Sequence, residues 1–237
     1  MKIVVVAVLV LLALGCKKDE TPGPVNGLNL VIDYSVDGQP LLFDSLMYVS
    51  PAGETYQVTR LEYYLSGFRF YRGGEVAYSS DTVVYIDARK PEAMGLFKQV
   101  PVGHYDSLVF FLGVAPEWNH NGMLEPTAEN VAMEWPEVMG GGYHFVKLEG
   151  HWDEGLTLAG FAIHLGTDPL LVRAGIWETI HIPHHDPELR LNMNINEWFR
   201  NPETYSFEQD GVYTMGNMML MKKVQANASD VFTLKTD

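Results

Sequence analysis

The chain has 237 residues, a formal net charge of -14 and a single cysteine. So acidic a balance excludes the phosphate backbone of a nucleic acid as partner, which needs basic stripes, yet an acidic surface draws cations in. One cysteine excludes internal disulfides and any multi-thiolate metal centre, so a metal site must come from His, Met, Asp, Glu or backbone groups.

Lys2 is followed by an apolar run from Ile3 to Leu14. That run is shorter than the roughly 20 residues a membrane-spanning helix needs. A basic start, an apolar centre and a small residue before the break predict an export signal over residues 1–15. The stretch Leu12-Ala13-Leu14-Gly15-Cys16 resembles a bacterial lipoprotein cleavage box, with Ala13 where leucine is commoner. Cys16 is then the lipidated first residue of the mature chain. Lys17-Lys18-Asp19-Glu20 resembles the tag that directs some lipoproteins to the outer face of the outer membrane. The expected address is therefore the outer membrane, lipid-anchored and surface-exposed. Residues 16–27, with Thr21-Pro22-Gly23-Pro24, read as a tether, and residues 28–237 as one domain.

Period-two alternation dominates from there. Leu28, Leu30, Ile32, Tyr34 and Val36 fall on one face of a strand. Further strands are predicted over Tyr56 to Tyr71, Asp81 to Ala88, Ser107 to Val114, Tyr143 to Leu148, Phe161 to Leu165, Trp177 to Ile182 and Leu189 to Ile195. Met218, Met221, Val224 and Ala228 recur at helical spacing near the C-terminus. Many short strands without strand–helix alternation predict an all-β protein, mainly an antiparallel β-sandwich, with one or two short helices.

No GxSxG, HExxH, P-loop or GxGxxG occurs, so no enzymatic activity is expected. The histidines carry the chemical interest. His120 follows a strand in Glu117-Trp118-Asn119-His120-Asn121-Gly122, the kind of loop where binding residues concentrate. His144 alternates with Val146 and Leu148, which predicts the apolar face. In Phe161-Ala162-Ile163-His164-Leu165 the apolar residues take one face, and His164 shares the other with Ala162, leaving room for a metal, a water or a partner side chain. In His181-Ile182-Pro183-His184-His185, parity favours His181 with His185 as a metal-binding pair. Met215, Met218, Met219 and Met221 offer soft thioethers suited to Cu(I), although core filling is the commoner use of methionine.

Four stretches occur in order: Val58-Thr59-Arg60-Leu61-Glu62-Tyr63-Tyr64-Leu65-Ser66, Leu112-Gly113-Val114, Gly142-Tyr143-His144-Phe145-Val146-Lys147-Leu148-Glu149-Gly150 and Phe161-Ala162-Ile163-His164-Leu165-Gly166. Together they resemble the methanobactin-partner-like (MbnP-like) copper-binding proteins, exported β-rich domains. The resemblance implies copper, Cu(I) or Cu(II), held by two histidines, which by motif are His120 and His164. Some members add a tryptophan oxidised to kynurenine, and Trp118 or Trp135 stands in a matching position. The family's frequent W-x-W pair is broken here, where Pro136 follows Trp135. The implied role is copper capture, storage or handover, with a protein partner in the cell envelope. The competing expectation is a metal-free surface sandwich that binds a carbohydrate, peptide or protein through tyrosines and tryptophans.

Overall fold

The predicted alternation becomes strands in a computed structural model that describes residues 23–25, 27–90 and 92–235. The signal segment 1–15, Cys16 and the acidic–basic tag after it lie outside the described residues. The chain opens with β1 (Leu28–Val36), β2 (Gln39–Pro40) and β3 (Tyr48–Val49), then the long β4 (Thr55–Arg72). There follow β5 (Glu75–Ser80), β6 (Val84–Asp87), β7 (Met94–Phe97), β8 (Gly103–Tyr105) and β9 (Ser107–Leu112). After helix α1 (Ala128–Ala132) come β10 (His144–Asp153), β11 (Leu158–Gly166), β12 (Val172–Ile176), β13 (Ile180–Ile182) and β14 (Glu188–Asn194). Helix α2 (Met218–Asn227) and β15 (Phe232–Leu234) complete the described chain.

One sheet runs β11-β10-β4-β9-β12, with β3, β5 and β6 also paired to β4. The other runs β15-β14-β1-β2, with β7 also on β1. The fold is mostly antiparallel, as expected; β1 and β14 run parallel, Leu30 opposite Leu189 and Ile32 opposite Leu191. Val25 exchanges two backbone hydrogen bonds with Val100, so pairing begins before Leu28.

Aromatic side chains close the sandwich. Phe97 of β7 meets Phe68 of β4 edge-on at 4.9 Å between ring centres, and Phe232 of β15 meets Phe110 of β9 at 5.3 Å. Each such contact adds about 0.5–1.5 kcal/mol beyond the area it buries. Leu28, Leu30 and Ile32 point into this core, as the alternation in β1 requires.

Two expectations change. Only Ile180–Ile182 of the stretch from Trp177 is a strand, and Trp177 is exposed. The methionine group is not core filling as a whole. In α2, Met221 is buried with Leu220 and Val224, whereas Met215, Met218 and Met219 face solvent.

Candidate metal centre

The β10–β11 hairpin builds the site. Glu149 lies opposite Ala162 and Lys147 opposite His164, so these residues belong to one face of the ladder. Simple parity would put His144 on the other face, with Val146 and Leu148. The ladder shifts register between His144 and Val146, and His144 comes opposite Gly166 instead. An extra residue in one strand reverses the side-chain alternation beyond it. This bulge turns His144 out of the apolar face and onto that of His164. The two rings are edge-to-face, 5.1 Å between centres.

Hydrogen bonds orient each ring. His144 Nδ1 lies 3.2 Å from the Met133 carbonyl, and its backbone N–H donates to the same oxygen at 2.6 Å. A carbonyl only accepts, so the proton is on Nδ1 and Nε2 carries the lone pair. Burial, with Lys147 and His164 adding to it, pushes the His144 pKa down to about 3, so the ring is neutral near pH 7. His164 Nε2 donates to Glu149 Oε1 at 2.9 Å, which leaves Nδ1 as its second nitrogen. That hydrogen bond, aided by Arg60, holds the Glu149 carboxyl below the usual carboxylate range. Thr214 clamps the His164 backbone, its Oγ1 accepting from N at 2.8 Å and donating to O at 2.7 Å.

The floor and walls are equally defined. Segment 133–135 runs beside 142–144: Trp135 N–H donates to the Gly142 carbonyl at 2.9 Å, and Glu134 bridges Tyr143. This places the Trp135 ring 4.7 Å from that of His144, almost fully buried, with Nε1 donating to the Met139 carbonyl. Lys147 is buried too; it donates to the Ala132 carbonyl at 2.6 Å, at the C-terminal end of α1, and burial lowers its pKa.

Gly166 makes room for the indole. A β-carbon there would stand 2.3 Å from Trp135 Cε3. Gly166→Ala should therefore displace the indole and cost about 1–3 kcal/mol, read by urea denaturation together with a changed near-ultraviolet circular dichroism spectrum. An unchanged spectrum would mean that the indole is not seated on Gly166.

The other candidates lie as follows. His120 is exposed, between Asn119 and Asn121, whose side-chain oxygens accept from the backbone N–H of Tyr143 and Gly142. Trp118 lines a cleft of about 690 Å³ with Tyr34, Tyr64, Tyr85 and Met123. Trp135 is the tryptophan packed on an imidazole of the cluster. His181 does not pair with His185: the strand ends at Ile182, and its ring neighbour is His104, while His185 lies beside His184. Among the described residues, no three His, Cys, Asp or Glu side chains form a metal-holding group.

The donor set nevertheless fits an ion that accepts two nitrogens. Metal-binding histidines characteristically donate the other ring N–H to a carboxylate or carbonyl. His164 and His144 do so, to Glu149 and Met133 respectively.

Fold and cluster together define a class: a two-sheet β-sandwich with a paired-histidine centre on the face of one hairpin. The MbnP family model matches residues 25–219, and the chain belongs to that family. Among solved structures it is similar to MbnP from Methylosinus trichosporium, at 15% identity and a TM-score of 0.49, over 73% of this chain and 76% of that one. A search of the curated proteins finds no match.

Proposed function

We propose that this protein binds a copper ion for capture, storage or handover within the cell envelope, without catalytic turnover. The observation that carries this reading is the pair His144 and His164, 5.1 Å apart between ring centres, each tied through one nitrogen to an oxygen acceptor. Membership of the MbnP family supports it. His144 Nε2 and His164 Nδ1 would hold the ion, and imidazole nitrogens suit copper. Trp135 stands against the first ring and Glu149 orients the second. This ligand pair differs from the motif-derived pair His120 and His164 in one member.

Lipidation at Cys16 and an outer-membrane, surface-exposed location remain part of the proposal, supported by the sequence before residue 21. Handover implies a protein partner in the envelope. The aromatic cleft around Trp118 favours a second reading, a metal-free binding surface for a carbohydrate or peptide.

Copper titration of the metal-free full chain separates these readings. The native protein should take up one ion at the hairpin, and His164→Ala and His144→Ala should each weaken that binding at least tenfold with the circular dichroism spectrum preserved. If His120→Ala abolishes binding while His144→Ala leaves it unchanged, the ligands are His120 and His164. If no variant alters copper uptake, or the native chain takes up none, the copper reading fails.

A further inference from the structure

We propose that His104 and His181 form a second metal site, a bis-imidazole chelate on the protein surface for a divalent transition ion such as Zn(II) or Cu(II). β8 and β13 pair antiparallel with His104 directly opposite His181. Tyr105, Ile180 and Ile182 are buried, so alternation sends both imidazoles to the solvent face, and both are exposed. Their ring centres are 4.5 Å apart, with planes tilted by 42°.

That spacing suits chelation. An ion ~2.0–2.1 Å from a ring nitrogen lies about 3.2 Å from the ring centre, so two rings at roughly 90–110° around it are about 4.5–5.2 Å apart. Directly opposed positions on a ladder put side chains in reach without help from the loops.

The ladder is held firmly, which limits the ordering that binding would require. Arg72 Nε donates to the His104 carbonyl at 2.9 Å, and its guanidinium lies 4.6 Å from the Tyr105 ring centre. Asp106 N–H donates to the Tyr71 carbonyl at 2.8 Å, and the Asp106 carboxylate accepts from Gly73 N–H. Both contacts fasten the end of β8 to β4 and its turn.

No third His, Cys, Asp or Glu joins the pair among the described residues. Water would complete the coordination shell, which makes the ion exchangeable. The site differs in kind from the His144–His164 pair, whose residues are buried and half-buried: it is open to solvent. It stands whether or not that pair binds copper.

The test is Zn(II) titration of the untagged full chain against a chromophoric chelator, in a His164→Ala background that weakens the hairpin site. One Zn(II) should bind, and His104→Ala or His181→Ala should each lower the affinity at least tenfold. The double variant His184→Ala/His185→Ala should leave it unchanged. Both target side chains are exposed, so a preserved circular dichroism spectrum is expected. Affinity that falls less than threefold in both single variants would show two independent imidazoles in van der Waals contact, and would overturn the chelate. Loss on changing His184 and His185 alone would overturn it as well.

Discussion

Replacing Gly150 by alanine should destabilise the protein by about 3–5 kcal/mol, the upper end of what single substitutions do. A β-carbon at Gly150 would stand 1.9 Å from the Gln57 carbonyl oxygen and 2.6 Å from Phe161 Cζ. The phenyl ring can yield, but the carbonyl belongs to the backbone of β4, the strand on which the larger sheet is built. The β10–β4 ladder already shifts register between Glu149 and Gly150. Relieving the clash would move Glu149 and loosen its hold on His164. Thermal unfolding followed by circular dichroism should show a drop of about 10 °C, with copper affinity reduced. A loss below about 1 kcal/mol would mean that β10 can slide on β4, contrary to the packing described.

Acidification should reveal His144 in the metal-free protein. Its folded pKa, about 3, lies below the ordinary value of 6.5. The unfolded chain therefore takes up the proton first. Stability from this residue is fully present above about pH 6.5 and declines as pH falls towards 3. The residue is only 6% exposed, so solvent screening does little to reduce the effect. About 2 kcal/mol should be lost between pH 7.5 and pH 5. Urea unfolding at the two pH values, with a chelator present, measures it. In His144→Gln that part of the slope should vanish, while the contributions of carboxylates such as Glu149 and Asp33 remain. Equal slopes in the native and variant proteins would show that His144 is not held neutral by burial.

The parts of this fold that follow period-two alternation were legible from residue order alone. β1 ends at the predicted residues, and Phe161, Ile163 and Leu165 face the core with His164 on the opposite side. β5 and β12 escaped notice for different reasons: Ala77 and the serines dilute the first, whereas the second alternates Val172, Ala174 and Ile176 inward but spans only five residues.

The candidate site was half legible. His164 stood out because a polar ring beside Ala162 needs a neighbour. His144 was placed on the wrong face, since a one-residue bulge leaves no mark in the local pattern. That Trp135 packs on the His144 ring depends on the strand-like run of 133–135 beside 142–144, a tertiary contact. The pairing of His104 with His181 joins distant segments, so no spacing rule within 181–185 leads to it.

Chain synthesis is directional, and the parallel ladder of β1 with β14 makes that direction matter. β1 appears among the first structured residues, yet Leu30 finds Leu189 only when about four fifths of the chain has been made. Until then one flank of β1 is an open edge that can recruit stray strands, and such distant pairings form slowly. A cell producing this protein must shelter that edge throughout the wait.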